Sequence, residues 1–210
     1  SLRVPGNTCM SALDAIVRGK DPCNNSKGCG GIMRVAPIAL YASVSDKFDD
    51  VKVAQLAAYA SECTHQHPLG FLPASLLTVL LYKIVPMSVK QVQEEIDDIV
   101  ADTLNVLNRI YKGKYESDKQ YLKELTEMAM LLAHSNISDA DAIRQLGEGW
   151  VAEETWAIAL FCAIRHIDSV ENAIIASVNH DGDSDSTGSV CGNIMGAIYG
   201  YEHIKERNIF

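Results

Sequence analysis

The sequence predicts an all-α protein folded as one domain spanning 1–210, and three observations carry that reading. Apolar residues recur at helical spacing along most of the chain, no segment has a convincing period-two alternation, and no tandem repeat divides it. At 210 residues, 48% of them hydrophobic and 21% charged, the chain is long and apolar enough for one sizeable core.

The opening forty residues are punctuated by Pro5, Gly6, Gly19, Pro22, Gly28, Gly30, Gly31 and Pro37, which predicts loops joining short helices. From Asp50 to about Cys63, Val51, Ala54, Ala58 and Ser61 recur at helical spacing. A second helix follows from about Leu69 to Val85, with Pro73 near its start. Ser88 with Gln91 has the form of a capping box. Behind it Val89, Val92, Ile96, Ile99, Thr103 and Leu107 make one apolar stripe, with Glu94, Glu95, Asp97 and Asp98 mostly on the solvated side. Ser117 with Gln120 opens the next helix, which runs to about Ala133. Shorter helices follow near 139–146, 152–166 and 169–179, and the last begins near Thr187. The helix at 152–166 is apolar almost all round, so it is expected at the centre of the core. Glu153 and Glu154 lie in its first turn, where the helix dipole favours carboxylates.

Charge and cysteine usage narrow the function classes. A net charge of -9 disfavours nucleic acid, whose binders need a basic footprint. The six cysteines show no C-x-x-C spacing and several lie in apolar helical context, which fits reduced intracellular thiols and a cytoplasmic location. The opening SLRVPGNTC has no signal-peptide pattern, and no apolar run approaches a membrane span.

Three segments carry chemistry. Asp181-Gly182-Asp183-Ser184-Asp185-Ser186-Thr187 sets carboxylates at alternate positions before the last helix. Such oxygen clusters suit hard cations, magnesium, manganese or calcium, although an Asp/Ser/Gly run before a helix also serves as a plain capping loop. It is not an EF-hand: counting from Asp181, Ser186 replaces the required glycine and Gly192 the required glutamate. Behind the run, Gly188, Gly192, Gly196 and Gly200 share a helix face, and each costs about 1 kcal/mol against alanine. The expected compensation is another helix packed closely along the bare stripe. Asn24 to Arg34 contains a glycine-rich loop, Gly28-Cys29-Gly30-Gly31, which matches neither a Walker A loop nor a dinucleotide fingerprint. Alone it reads as a flexible turn, or as backbone that can approach a phosphate. His65 and His67 lie in a turn between helices, without the partners a zinc site needs.

Taken in order, PGNTC, SKGCGGIMRVAP, the TH-x-x-P turn, GWVAEETWAIALF and NHDGDSDSTGSVCGNIMGAIYG resemble the ADP-ribosylglycohydrolase family over nearly the whole chain. The resemblance implies an all-α domain with a central cleft and two divalent cations, magnesium or manganese. It implies hydrolysis of the bond between ADP-ribose and a protein side chain or small molecule. Metal ligands would be Asp183, Asp185 and Ser186, with Asp185 shared; Ser186 stands where threonine is commoner in the family. Gly28, Cys29, Gly30 and Gly31 would cradle the diphosphate, with His65 beside the nucleotide. The family's acidic residue at the reacting ribose and its Thr-Asp-Asp run belong before PGNTC, and no Thr-Asp-Asp run occurs in this sequence. The expectation is therefore an N-terminally incomplete or degenerate member, with weak cation binding and little or no turnover. The alternative is a non-catalytic ADP-ribose-binding or structural helical protein.

Overall fold

The structure is a computed structural model that describes residues 6–206; Pro5, one of the predicted loop punctuators, lies outside them. Among the described residues are ten α-helices, one 3-10 turn at Ile32–Arg34 and no strand. The helices are α1 (Asn7–Val17), α2 (Ala36–Ser43), α3 (Asp50–Glu62), α4 (Pro68–Ile84), α5 (Val89–Ile110), α6 (Glu116–Ala133), α7 (Asp139–Leu146), α8 (Ala152–Arg165), α9 (Val170–Val178) and α10 (Ser184–Glu206).

Two helices make the centre. In α8 every residue from Trp156 to Ala163 is at most 2% exposed, as an all-round apolar sequence requires. It packs against α6, α10, α4 and α9, and the Trp156 indole N–H finds the Thr126 hydroxyl at 2.9 Å. In α4 nearly every side chain from Leu69 to Leu81 is buried, and α3 lies along it. One continuous core joins α8, α4, α10 and the inner faces of the outer helices.

Side-chain caps set five of the ten helix starts among the described residues. The Ser88–Gln91 box forms in both directions, Ser138 accepts from Asp141 N–H, and Ser169 from Asn172 N–H. At α6 the expectation fails. The helix begins at Glu116, behind Tyr115 in a left-handed conformation (φ 53°), and no side chain caps it. Tyr115 is held there by ring contacts with Phe71 and Tyr111 at 5.7 and 5.5 Å. Tertiary packing fixes this start, and Gln120 turns instead to Glu124.

The glycine stripe of α10 also departs from expectation. The buried face of this helix is Val190, Cys191, Ile194, Met195 and Ile198. Gly192 and Gly196 lie one to two residues along from it, about 100–200° around the helix. A Cβ on Gly188 would meet Val178 at 2.5 Å, one on Gly192 would touch Ile174 at an ordinary 3.6 Å, and one on Gly196 would meet nothing within 4 Å among the described residues. Gly200 breaks the helix with φ 75°. Only the first glycine is a close-approach site. Gly196→Ala is therefore expected to stabilise the fold by about 0.5–1 kcal/mol through helix propensity. A urea midpoint lower than wild type would show that this face is covered.

Candidate functional site

The glycine loop is held from both sides, which its own residues do not disclose. Asn24 Oδ1 accepts the Ser26 and Gln66 N–H groups at 3.0 and 3.2 Å, and Asn24 Nδ2 donates to the Thr64 carbonyl at 3.1 Å. On the other side the Ala152 N–H donates to the Lys27 carbonyl at 2.8 Å, and the Cys29 N–H to the Trp150 carbonyl at 3.3 Å. This pairing, with Gly28 opposite Val151, docks the loop on the N-terminus of α8. Below it the Lys27 ammonium meets Glu153 Oε1 at 2.5 Å. Glu153 is fully buried and its Oε2 has no hydrogen-bond partner among the described residues. Burial raises the Glu153 pKa and Lys27 opposes the rise.

His65 is 3% exposed and closes one wall. Its ring lies 3.4 Å from where a Gly28 Cβ would stand and 3.2 Å from that of Gly30. Burial, with the Arg34 cation as a smaller cause, pulls its pKa down to about 4, so the ring is neutral at pH 7. Arg34 donates to the Thr64 hydroxyl at 2.5 Å, and that hydroxyl lies 2.8 Å from His65 Nδ1 against 3.4 Å from the Ser61 carbonyl. The hydroxyl's one hydrogen therefore goes to Nδ1. Nε2 carries the ring proton and offers an uncharged N–H beside the glycine backbone.

The acidic loop comes in from the opposite wall. Gly182 N–H donates to His180 Nδ1 at 3.1 Å, and Asp183 N–H to the Glu148 carbonyl at 2.7 Å. Glu148 is itself placed by Glu154, whose Oε2 accepts the Glu148 and Gly149 N–H groups at 3.1 Å each. Asp183 Oδ2 accepts both the Ser186 hydroxyl and the Cys29 thiol, each at 2.9 Å. The neighbouring Asp183 carboxyl is the main cause raising the Asp185 pKa. Burial works against ionising Asp183, but the neighbouring Asp185 and the bonds from Cys29 and Ser186 outweigh it and hold its pKa low. The Cys29 thiol is pushed up to about 12, chiefly by burial and then by Asp183. It is a hydrogen-bond donor here and not a nucleophile.

These walls enclose a cleft of about 490 Å³, whose lining includes Gly28, Cys29, Gly30, His65, Asp183, Asp185 and Ser186. Gly31 does not line it. It is buried against α3, where a Cβ would come within 1.9 Å of the Ser61 hydroxyl. The cleft also takes Thr8, Cys9, Met33 and Trp150, which sequence reasoning passed over. Trp150 had a signal: it is a large aromatic in a glycine turn, and the fold leaves it 58% exposed at the rim. Among the described residues, no three His, Cys, Asp or Glu side chains stand in an arrangement that would hold a metal. The oxygens of Asp183, Asp185 and Ser186 fit part of a hard-cation shell in kind, but not a whole one in number.

No helix among the described residues is long and apolar enough to cross a membrane. Comparison with known proteins places this architecture. The family described as ADP-ribosylglycohydrolase matches residues 1–209. ADP-ribosylhydrolase ARH3 of Homo sapiens is 28% identical over 198 residues, 86% of this chain and 52% of the relative. ARH3 of Gallus gallus is 28% identical over 195 residues, and that of Danio rerio 24% over 196, each covering 85% of this chain and 51% of the relative. The chain thus spans about half the length of the curated relatives it matches. With the family match running over nearly all of it, the chain belongs to the ADP-ribosylglycohydrolase family.

Proposed function

We propose that this chain carries the nucleotide-binding wall and half of the cation site of an ADP-ribosylglycohydrolase. The reaction is hydrolysis of the bond from the ribose anomeric carbon of ADP-ribose to a protein side chain or small molecule. Water supplies the hydroxyl to that carbon, and the departing group takes up a proton. One observation carries the reading: a glycine-rich backbone loop and a carboxylate–hydroxyl cluster line one cleft together.

The parts have separate tasks. Gly28 and Gly30 let backbone approach a diphosphate without obstruction. The neutral His65 N–H donates to a polar oxygen without adding a charge that would need a counter-ion. Trp150 offers an exposed indole face to a flat group at the rim. Asp183, Asp185 and Ser186 would hold a divalent cation, which when bound would act as a Lewis acid and orient ribose hydroxyls. The acid/base carboxylate and the other cation ligands that the family resemblance implies have no counterpart among the described cleft residues.

Titration of the chain with ADP-ribose, with manganese and with EDTA, tests this. Binding is expected in both media, tighter with manganese. Asp185→Asn should remove the manganese-dependent gain, about tenfold in affinity or 1.4 kcal/mol. Release of ADP-ribose from ADP-ribosylated arginine or serine should stay near background, because the oxygens of three residues are too few to fill the shells of two cations. Absence of ADP-ribose binding, or a manganese gain indifferent to Asp185, would sink the reading. Robust turnover by this chain would move the missing groups inside it.

A further inference from the structure

The joint between α9 and α10 carries a histidine that the catalytic reading leaves without a task. His180 lies outside the cleft lining, yet both its ring nitrogens are engaged. Nδ1 stands 3.1 Å from the Gly182 amide nitrogen, and Nε2 stands 2.8 Å from the Thr187 hydroxyl. A backbone N–H only donates, so Nδ1 must be bare. The Thr187 hydroxyl has one hydrogen, and its nearest acceptor is the Ser177 carbonyl at 2.7 Å. That oxygen therefore accepts from Nε2, which must carry the proton. Both contacts demand the same neutral tautomer, and an imidazolium would set two N–H groups against each other at Gly182.

We propose that His180 is a positioning residue: as the neutral Nε2–H tautomer it clamps Gly182 to Thr187 and so fixes where the Asp183 and Asp185 carboxylates point. The clamp spans the acidic loop from its second residue to the first turn of α10. The next amide, Asp183 N–H, is held by the Glu148 carbonyl at 2.7 Å, and Thr187 N–H returns to the Asp183 carbonyl at 3.2 Å. Thr187 is fully buried, so the clamp is anchored in the core. Partners behind a ligand that fix its direction typically change metal affinity by about 10–100-fold. The positioning role rests on the cation reading above; the clamp itself does not.

Nitrogen-15 NMR on the labelled chain at neutral pH separates the two. The expected result is a protonated, pyrrole-type Nε2 and a bare, pyridine-type Nδ1 at His180. His180→Phe keeps the ring volume and loses both bonds, so the Gly182 amide should exchange about tenfold faster. His180→Asn keeps an acceptor near Nδ1 and should preserve Gly182 protection. Manganese affinity, read by paramagnetic broadening at 184–187, should fall about tenfold in His180→Phe and recover most of the way in His180→Asn. The opposite tautomer, an imidazolium, or unchanged Gly182 exchange overturns the clamp. Equal manganese affinity in wild type and His180→Phe overturns the positioning role. A wild type that binds no manganese overturns the cation reading and with it the positioning role, while the NMR readouts still decide the clamp. If His180→Phe does not fold, the wild-type nitrogen shifts and His180→Asn decide.

Discussion

Gly182→Ala is expected to cost the fold about 3 kcal/mol and to displace the Asp183 carboxylate, the upper part of the range for overpacking. A Cβ on Gly182 would stand 1.8 Å from the Glu148 carbonyl oxygen and 2.6 Å from its carbon. The obstacle is backbone, so no side-chain rotation relieves it. That backbone is itself fixed, because Glu154 takes the Glu148 and Gly149 N–H groups and the Asp183 N–H takes the Glu148 carbonyl. One loop must move off the other, and the Asp183 N–H bond at 2.7 Å goes with it. Urea unfolding of the variant should show a clearly lower midpoint, with manganese binding lost in parallel. An unchanged midpoint would mean that the two loops do not meet. The same substitution at Gly196 is expected to raise the midpoint, so the pair separates close approach from helix propensity.

What the sequence disclosed, and what it withheld, divides by distance along the chain. The sequence places helices α3, α4, α7, α8 and α9, and the start of α5, to within about two residues. Their signals are local: Ser88 reaches Gln91, and Ser169 reaches Asn172. Ser117 gives the same kind of signal and misleads by two residues, because the cap position falls on Tyr115, which answers to Phe71, 44 positions earlier in the sequence. The stripe in α10 misled for a related reason. Glycines four apart share a face, but nothing in their spacing says whether that face meets a helix or solvent. In the site, the oxygen cluster was legible because Asp183, Asp185 and Ser186 are neighbours. The glycine loop reads alone as a flexible turn because its restraints come from Thr64 and Gln66 and from Trp150 to Glu153, 40 to 126 residues away. Glu153 read as a dipole partner of its own helix. Its bond to Lys27 makes it the floor beneath that loop, a role that only packing reveals.

Lys27→Met should therefore destabilise the chain by about 2–4 kcal/mol at pH 8, by leaving a buried carboxylate without its cation. The value lies below the full range for a buried pair because the Lys27 side chain is 42% exposed. The penalty must depend on pH, and its sign follows from linkage. Burial already raises the folded Glu153 pKa above the ordinary 4.5, and Lys27 is the main influence holding it down. Without Lys27 the folded value climbs further. A group whose folded pKa lies above its unfolded one stabilises most below the unfolded value, and that stability drains away as pH rises through the folded value. The difference between Lys27→Met and wild type should thus be small near pH 4.5 and grow toward pH 8. Adding Glu153→Gln removes the charge and should bring the double variant back to within about 1 kcal/mol of wild type at pH 8. Guanidinium unfolding at pH 4.5, 6 and 8 reads all of this. A penalty flat across that range would show that Glu153 bears no unpaired charge in the variant, and the pair would then count only as packing beneath the glycine loop.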